Sequence, residues 1–438
     1  MLRPSLLFVD LGKPLRRWAT AVVAGVVASI AGAAPLPHAS PSAVGISAER
    51  LARLDAAMQA RVDGKDKAGI VVLIAKDGRV VHHKAYGMAD IEAREPMRPD
   101  SILRLYTMTK PITSVALLTL YEQGKFQLSD PLEKYIPAMA NLRVFKGVDA
   151  SGNVTTEPLH RKPTIHDIFR HTAGFSYGTG TSPVDRIYQD LGIDSARATS
   201  LREMVTERLP QAPLLYQPGE QWVYSVSHDI QAYLVEYFSG MPFDQYLQKT
   251  IFGPLGMRDT CFGLARDKTA RQTSVYGPSA DGGLKLVEDR EGRRPAGDAG
   301  SYARFSGVPF GGTGLSSTAT DYARFAQMLV NGGELEGVRV LGRKTVELMA
   351  SNQLPPAVGM LSGRNAGSGY GLGVIVLVDP PASGNLGSPG QFGWAGAATT
   401  WVIIDPKEKM VSVLLAQHTP IDFPFAYTWQ TLVYQTLE

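Results

Sequence analysis

The sequence predicts an α/β fold of the α+β type, in which strands from both ends of the chain enclose a helical insertion. β-rich segments occur in the first and last thirds, whereas the middle third has helical patterns separated by Pro-, Gly- and Asp-rich loops. Separate runs of strands and helices are typical of this fold class. We therefore expect a discontinuous α/β domain, residues 41–130 and 300–438, and a helical domain over residues 131–299. A chain of 438 residues with 44% hydrophobic residues is long enough for such units.

A capped helix and a hairpin are predicted at the start of the α/β domain. Ser47 precedes an amphipathic segment, Glu49 to Arg61, and serine is a favoured N-cap residue. Two apolar segments, Gly69 to Ala75 and Val80-Val81, flank Asp77-Gly78, which is a strong hairpin signal. These patterns predict a helix, a strand, a tight turn and a second strand, in that order along the chain.

The next element is a helix that we expect to be buried. Thr109 to Gln123 is apolar on most of its faces, which is typical of a helix inside the core. Pro111 lies in its first turn and Gly124 follows its last residue, the order usual for helix ends.

The remaining elements follow from shorter patterns. Helical patterns in the middle third cover Ile165–Phe169, Leu201–Arg208 and Asp229–Phe238. In the last third, β-rich segments cover Gly371–Val378, Ala398–Ile404 and Met410–Ala416, and a closing helix runs from Ala426 to Leu437. The return to strands predicts that the two ends of the chain form one domain.

The first 34 residues have the layout of a secretory signal peptide. Arg16 and Arg17 precede a small-apolar run from Ala19 to Ala34, which ends in small residues before Pro35. The run has about 16 residues, fewer than the ~20 that span a bilayer. We expect export to the periplasm or medium with no stable membrane span after leader removal; a buried helix and a membrane anchor are the alternatives.

Charge and cysteine content exclude several classes of protein. The chain has 44 Lys+Arg and 41 Asp+Glu; residues 1–33 hold four basic residues and one acidic residue, which leaves 40 of each in the body. A neutral body without a basic run gives no electrostatic footprint for nucleic acid. The single cysteine, Cys261, excludes an internal disulfide and a cysteine-ligated metal cluster. The sequence contains no Walker loop, Gly-x-Gly-x-x-Gly or His-Glu-x-x-His motif, so no cofactor or metal is expected.

A candidate nucleophile lies at the start of the buried helix. Thr107 and Lys110 are three residues apart, and residues with this spacing share one helix face. A hydroxyl beside an amine can be activated when burial lowers the pKa of the amine. The pattern alone is common, and N-capping is the usual role of such a threonine.

Thr107 and Lys110 belong to the first of five sequence motifs that together resemble those of a known protein family. The segment Leu105 to Ala116 resembles the first motif of the serine β-lactamase/penicillin-binding superfamily. It resembles in particular the class C β-lactamase-like branch that includes the family VIII carboxylesterases. The other four motifs follow in the family's order; they are Arg170–Phe175, Tyr224–Val226, Gly311–Thr318 and Phe392–Ala397. The resemblance covers roughly residues 45 to 435.

The resemblance implies a fold and a mechanism. The fold is β-lactamase/transpeptidase-like, a mainly antiparallel sheet flanked by helices with a helical domain beside it and the active site between them. Thr107 stands at the position of the acylated serine, with Lys110 and Tyr224 as the general-base pair. The backbone N–H groups of Thr107 and Ala397 form the oxyanion hole. The implied reaction is acyl transfer from a small-molecule ester to water.

The last of these motifs also indicates the substrate. The resemblance implies substrate contacts from Trp394, Ala395, Gly396 and Val226. Where penicillin-recognising relatives have a lysine that binds the substrate carboxylate, Trp394 offers an uncharged indole. Val226 lacks the amide side chain that true β-lactamases have there. Both changes favour small or short-chain carboxylic esters over β-lactams, and Ala395 in place of glycine narrows the pocket.

Thr107 departs from the family pattern, because no Ser-x-x-Lys occurs anywhere in the sequence. The β-methyl group of threonine restricts χ1 and crowds the attack trajectory. Three hypotheses remain open: a working threonine nucleophile, a degenerate enzyme kept for ligand binding, and a substitution in this copy. A further alternative is an acyltransferase on the same scaffold, and the sequence does not indicate the oligomeric state.

Overall fold

An antiparallel sheet joins the first and last thirds of the chain in the computed structural model. The structure describes residues 35–193, 197–263, 266–293 and 307–438. The predicted leader, residues 1–34, lies outside the described residues. The described residues form one compact unit.

The strands and helices of the described residues are numbered in chain order. The strands are β1 (Gly69–Lys76), β2 (Arg79–Asp90), β3 (Glu95–Pro96), β4 (Leu103–Arg104), β5 (Val144–Val148), β6 (Val154–Glu157), β7 (Cys261–Phe262), β8 (Val275–Pro278), β9 (Leu284–Glu288), β10 (Leu315–Ser317), β11 (Glu334–Leu335), β12 (Val338–Arg339), β13 (Ser368–Tyr370), β14 (Ile375–Leu377), β15 (Phe392–Gly396), β16 (Thr400–Asp405) and β17 (Met410–Leu415). The α-helices are α1 (Ala48–Asp63), α2 (Thr109–Glu122), α3 (Ile165–Phe169), α4 (Pro183–Asp190), α5 (Leu201–Glu203), α6 (Ser227–Ser239), α7 (Phe243–Leu247), α8 (Gly253–Leu255), α9 (Ala319–Val330), α10 (Arg343–Met349), α11 (Pro380–Ser383) and α12 (Phe423–Tyr434).

The main sheet has the order β13-β14-β15-β16-β17-β1-β2-β3 within the described residues, and its neighbouring strands are antiparallel. The α+β class with an antiparallel sheet, predicted from the sequence, is therefore confirmed. Because β17 lies beside β1, residues more than 300 positions apart are direct neighbours, as Leu73 and Val413 are.

The central strands separate two apolar layers. In β1, Ile70, Val72 and Ile74 are buried on the face covered by α1 and α12, where Trp429 is fully enclosed. The alternate residues Val71 and Leu73 belong to the larger core on the other face. Successive side chains of a strand point to opposite faces, so a strand buried on both faces is apolar throughout.

The elements predicted for the first third are confirmed. Ser47 caps α1, and its Oγ accepts a hydrogen bond from the Arg50 N–H at 3.3 Å. β1 and β2 form the hairpin around Asp77-Gly78. The predicted buried helix is α2, in which twelve consecutive residues from Thr109 to Leu120 are buried.

Two predictions differ from the structure. The segment Gly371–Val378 is not one strand, because a turn at Gly371–Val374 separates β13 from β14. Gly373 has φ +87, and a Cβ there would lie 2.0 Å from Ser114 Oγ. The middle third also contains two hairpins, β5–β6 and β8–β9. Their strands have only four or five residues each, too few for a clear alternation of apolar and polar residues, so they resemble loops in the sequence.

Across the described ranges, we find no helix with both the length and the apolar character that crossing a membrane requires. The boundaries between the two predicted domains stay a prediction.

Candidate active site

Thr107 lies in a tight turn at the entrance to α2. The turn is a 3₁₀ segment, Tyr106–Met108, and α2 follows directly from Thr109. Tyr106 has φ +48, a left-handed conformation that is costly for a non-glycine residue and that occurs at functional sites. Thr107 Oγ1 donates a hydrogen bond to the carbonyl oxygen of Ala395 in β15 at 2.6 Å. The turn therefore places the hydroxyl against β15 of the main sheet.

Lys110 lies in the first turn of α2 and is fully buried. Its Nζ donates hydrogen bonds to the carbonyl oxygen of Gly312 at 2.7 Å and to Tyr177 Oη at 3.2 Å. Nζ also lies 4.6 Å from the centre of the Tyr224 ring. Burial lowers the pKa of Lys110 well below its ordinary value, against the opposing attraction of Asp229. The amine is thus held in a site that favours its neutral form.

The expected contact between Thr107 and Lys110 is not made in this structure. Among the described residues, the hydroxyl of Thr107 bonds to Ala395 and the amine of Lys110 bonds elsewhere. The β-branch of threonine restricts χ1, and its methyl group competes with the hydroxyl for each position. Catalytic hydrogen bonds are often long or poorly aligned without substrate.

Tyr224 belongs to a continuous aromatic stack. Its ring is stacked on Tyr177 with centroids 5.2 Å apart and lies 5.6 Å from Trp394. Trp394 in turn meets Tyr370 edge-on at 5.4 Å. Such contacts bury apolar surface and also favour particular orientations of the rings. Tyr224 and Trp394, which are far apart in the sequence, therefore form one wall of the site.

His171 holds the chain on both sides of Tyr224. Its carbonyl oxygen accepts from the Val223 N–H at 3.1 Å, and its Nδ1 accepts from the Ser225 N–H at 3.3 Å. Because Nδ1 is an acceptor, the neutral ring carries its proton on Nε2. Burial, followed by the charge of Lys110, lowers the pKa of His171 well below 6.5 and keeps the ring neutral. His171 itself has φ +57.

Gly312 links Lys110 to a buried carboxylate. Its carbonyl oxygen accepts from Lys110, and its N–H donates to Asp229 Oδ1 at 2.7 Å. A Cβ at this position would lie 2.8 Å from Tyr177 Oη and 3.0 Å from Asp229 Oδ1. Burial raises the pKa of Asp229, whereas Lys110 and the Gly312 N–H act to lower it. Only glycine lets both polar groups approach this peptide.

The last four residues of the motif Phe392–Ala397 border one cavity of about 430 Å³. Its described lining also includes Thr107, Tyr224 and Val226, and most of its surface is apolar; the members from β15 and the turn after it are Trp394, Ala395, Gly396 and Ala397. A Cβ on Gly396 would lie 2.3 Å from the carbonyl oxygen of Leu105. Strand β15 and the turn at Thr107 are therefore in close contact, and Ala397 borders the same space as Thr107.

The structure brings together all the residues proposed from the sequence and adds three more. Tyr177 and Asp229 line the cavity, and His171 lies directly behind Tyr224. In the sequence, Tyr177 is one of several loop aromatics, and its only signal is that it closely follows the motif Arg170–Phe175. Asp229 lies in the first turn of α6, five residues after Tyr224, which is its only sequence signal. Two other aromatic residues, Tyr188 of α4 and Phe310, are buried in the core and are not among the residues that line the cavity.

Comparisons with known proteins show the family and the fold of this chain. The family model described as Beta-lactamase matches residues 54–435. Esterase EstB of Burkholderia gladioli is 32% identical over 398 residues, which are 86% of this chain and 93% of that protein. Protein Rv1367c of Mycobacterium tuberculosis is 33% identical over 362 residues, 81% of this chain and 86% of that protein. The structure of EstCE1, described as a hydrolase with promiscuous acyltransferase activity, matches with a TM-score of 0.73 at 24% identity, over 88% of this chain and 98% of that one.

Proposed function

This chain belongs to the Beta-lactamase family, and from that premise we propose that it hydrolyses small or short-chain carboxylic esters through an acyl-enzyme on Thr107. One observation carries the proposal: a buried lysine contacts two tyrosines, and both tyrosines line the same largely apolar cavity as Thr107. The similarity to an esterase over most of both chains supports it. Within the family we assign the chain to the family VIII carboxylesterase type.

The proposed reaction has two stages. Thr107 Oγ1 attacks the ester carbonyl carbon, and its proton passes to the neutral amine of Lys110 or to the Lys110–Tyr224 pair. The oxyanion is stabilised by the N–H groups of Thr107 and Ala397. The C–O bond to the alcohol then breaks, and the leaving alkoxide takes the proton back. Water attacks the acyl-enzyme with the same groups as base and acid, releasing the carboxylic acid and restoring Thr107.

The walls of the cavity favour neutral groups near the reacting atom. Trp394 and Val226 line the cavity where a charged or amide side chain would recognise a β-lactam. An indole gives an apolar wall and no ion pair. We therefore expect weak or no β-lactamase activity, and little hydrolysis of peptides that end in a carboxylate beside the scissile bond.

The test measures p-nitrophenyl butyrate hydrolysis by the chain and by Thr107→Ala and Thr107→Ser, with intact mass recorded for an acyl adduct. Thr109→Ser is the matched control, because Thr109 Oγ1 bonds to the Tyr106 carbonyl oxygen away from the cavity. We expect turnover and an adduct in the parent, loss of both in the alanine variant, and faster turnover with serine.

Other outcomes have definite meanings. Activity only in Thr107→Ser would identify an esterase impaired at its nucleophile. Equal activity in the parent and in Thr107→Ala would remove Thr107 from the mechanism. No activity in any of these chains on a series of acyl lengths would favour a ligand-binding homologue.

Acyl transfer to an alcohol is the second candidate, favoured by the largely apolar lining of the cavity, which can hold an alcohol in place of water. The two reactions share the acyl-enzyme and differ only in its acceptor. Hydrolysis in the presence of added methanol or butanol, with products separated by chromatography, distinguishes a transferase because the new ester accumulates.

We further propose that residues 1–34 direct export and are removed, and that residues 41–130 with 300–438 form one domain and residues 131–299 the other. Export is tested by fractionating cells that express the full chain and by the mass of the mature protein. A full-length product in the cytoplasm would refute it.

A further inference from the structure

The outer part of the active-site cavity carries an arginine without an ion-pair partner. Arg364 and Asn365 line the cavity, and the Arg364 side chain is exposed. Within the part of the chain that the structure describes, no carboxylate lies within salt-bridge distance of its guanidinium. Other exposed arginines, such as Arg339 and Arg343, pair with glutamates. The guanidinium of Arg364 therefore keeps its donors available.

Arg364 is held in place by aromatic residues. Its carbonyl oxygen accepts a hydrogen bond from Tyr427 Oη at 3.2 Å. Its guanidinium carbon lies 3.8 Å from the centre of the Phe423 ring, a cation–π contact. Trp401 packs edge-on against both Phe423 and Tyr427. A side chain fixed in this way loses less entropy when it binds a ligand than a free surface arginine does.

Arg364 is connected to Thr107 through a series of intervening residues, Phe423, Trp401 and Ala395. Trp401 pairs directly with Ala395 across β15 and β16, and Ala395 accepts the hydrogen bond from Thr107. Paired residues lie side by side on the same face of a sheet. Trp401 lines the same cavity as Thr107, and Arg364 is connected to Trp401 through Phe423. A group that reaches Arg364 belongs to the far end of a substrate whose ester bond is at Thr107.

The charge of the cavity gives the chemistry of that group. Among the described lining residues the charged side chains are Asp229, which is buried, and Arg364, which is exposed. The planar guanidinium matches a carboxylate, and the Asn365 amide beside it adds a donor. We propose that the active site accepts esters that carry a carboxylate at the end remote from the ester bond, bound by Arg364. This inference rests on the proposed ester hydrolysis.

The test compares substrates that differ only in the remote charge. One pair is 4-nitrophenyl hydrogen adipate and its methyl ester, with the carboxylate on the acyl side. The other is 4-carboxyphenyl butyrate and its methyl ester, with the carboxylate on the leaving group. For each pair, the ratio of kcat/KM for the anionic to the neutral substrate is measured in the parent, Arg364→Gln, Arg364→Glu and Arg79→Gln. Arg79 is exposed, does not line the cavity and has the same charge, so it controls for net charge.

We expect one pair to show a preference for the anion, and the pair that does so identifies the side of the ester that faces Arg364. Arg364→Gln lowers this ratio about three- to fivefold, since an exposed ion pair is modest in strength, and Arg364→Glu lowers it further. Arg79→Gln leaves it unchanged, and added salt reduces it. A ratio that is unchanged in Arg364→Gln, or a parent without preference in either pair, overturns the proposal.

A binding measurement separates this proposal from the proposed function. Calorimetry of Thr107→Ala with monomethyl adipate and dimethyl adipate needs no turnover. Tighter binding of the monoester, lost in Thr107→Ala/Arg364→Gln, supports the anion site even if no ester is hydrolysed. Equal binding of the two compounds refutes the anion site while leaving ester hydrolysis untouched.

Discussion

Replacing His171 tests whether Tyr224 must be held in place for catalysis. His171→Leu removes the acceptor of the Ser225 N–H, while His171→Asn can offer its Oδ1 to the same donor. The backbone hydrogen bond from Val223 to His171 remains in both variants. Asparagine also tolerates the left-handed conformation of residue 171, whereas leucine does not.

The expected magnitudes follow from these contacts. Ser225 is buried, and a buried donor left without an acceptor costs ~1–3 kcal/mol. Leucine adopts φ +57 less readily than histidine or asparagine, but the Cβ of His171 already carries most of this strain in the parent. The free energy of unfolding should therefore fall by about 1–3 kcal/mol in His171→Leu and by much less in His171→Asn. A displacement of Tyr224 by ~1 Å lowers kcat by about 10²-fold.

The assay measures kcat and KM with p-nitrophenyl butyrate at a temperature where urea unfolding shows each variant to be folded. If the parent turns over slowly, all variants are made in Thr107→Ser. We expect kcat to fall more than KM changes in His171→Leu, because Tyr224 is one of many residues that line the cavity, and we expect kcat to recover in His171→Asn. His166→Asn is the control, since His166 contacts Gln353 instead of the Tyr224 segment.

Two results would refute this reasoning. A folded His171→Leu with the parent's kcat would show that Tyr224 needs no support from His171. A His171→Asn variant as slow as His171→Leu would show that the acceptor at Nδ1 is irrelevant.

Three further predictions concern the buried charges and the aromatic wall. Lys110→Arg should abolish turnover because the guanidinium group stays protonated and cannot accept a proton. In the parent, log kcat/KM should rise with pH, with a midpoint below the ordinary pKa of lysine, because burial lowers the pKa of Lys110. A rate that does not depend on pH from about pH 5 to 10 would contradict this assignment. Tyr177→Phe removes the hydroxyl that accepts from Lys110 and should lower kcat about tenfold, with KM nearly unchanged; an unchanged kcat would exclude it from proton transfer. Although burial acts to raise it, hydrogen bonds from Arg161 hold the pKa of Asp167 at about 2, below its ordinary 3.8. The ionised Asp167 therefore stabilises the folded protein by about 2 kcal/mol above pH ~4, and this contribution is lost as the pH falls toward ~2. In denaturant titrations, Asp167→Asn should have a lower free energy of unfolding at neutral pH, and this free energy should fall less steeply than the parent's as the pH is lowered. The same dependence on pH in the variant and the parent would refute the assignment.

Local patterns determine much of the fold. Asp77-Gly78 between apolar runs determines a hairpin because the turn conformation depends on those two residues. The uniform apolar character of α2 determines its burial, because exposing any of its faces to water would be unfavourable. The segment Gly371–Val378 is an exception, because the turn at Gly373 depends on its contact with Ser114, which no local pattern reveals.

Some features of the candidate site are likewise determined by local sequence, and others by tertiary packing. The spacing of Thr107 and Lys110 is a property of one helix turn, so the sequence alone determined that both lie at the start of α2. The direction of the Thr107 hydroxyl was decided by tertiary structure, because the carbonyl oxygen of Ala395 is brought beside it only when β15 joins the sheet. Tyr177 reaches Lys110, and Arg364 rests on Phe423, by the same kind of long-range packing. Sequence spacing determines contacts within a helix or hairpin, whereas contacts between distant segments depend on how the elements pack.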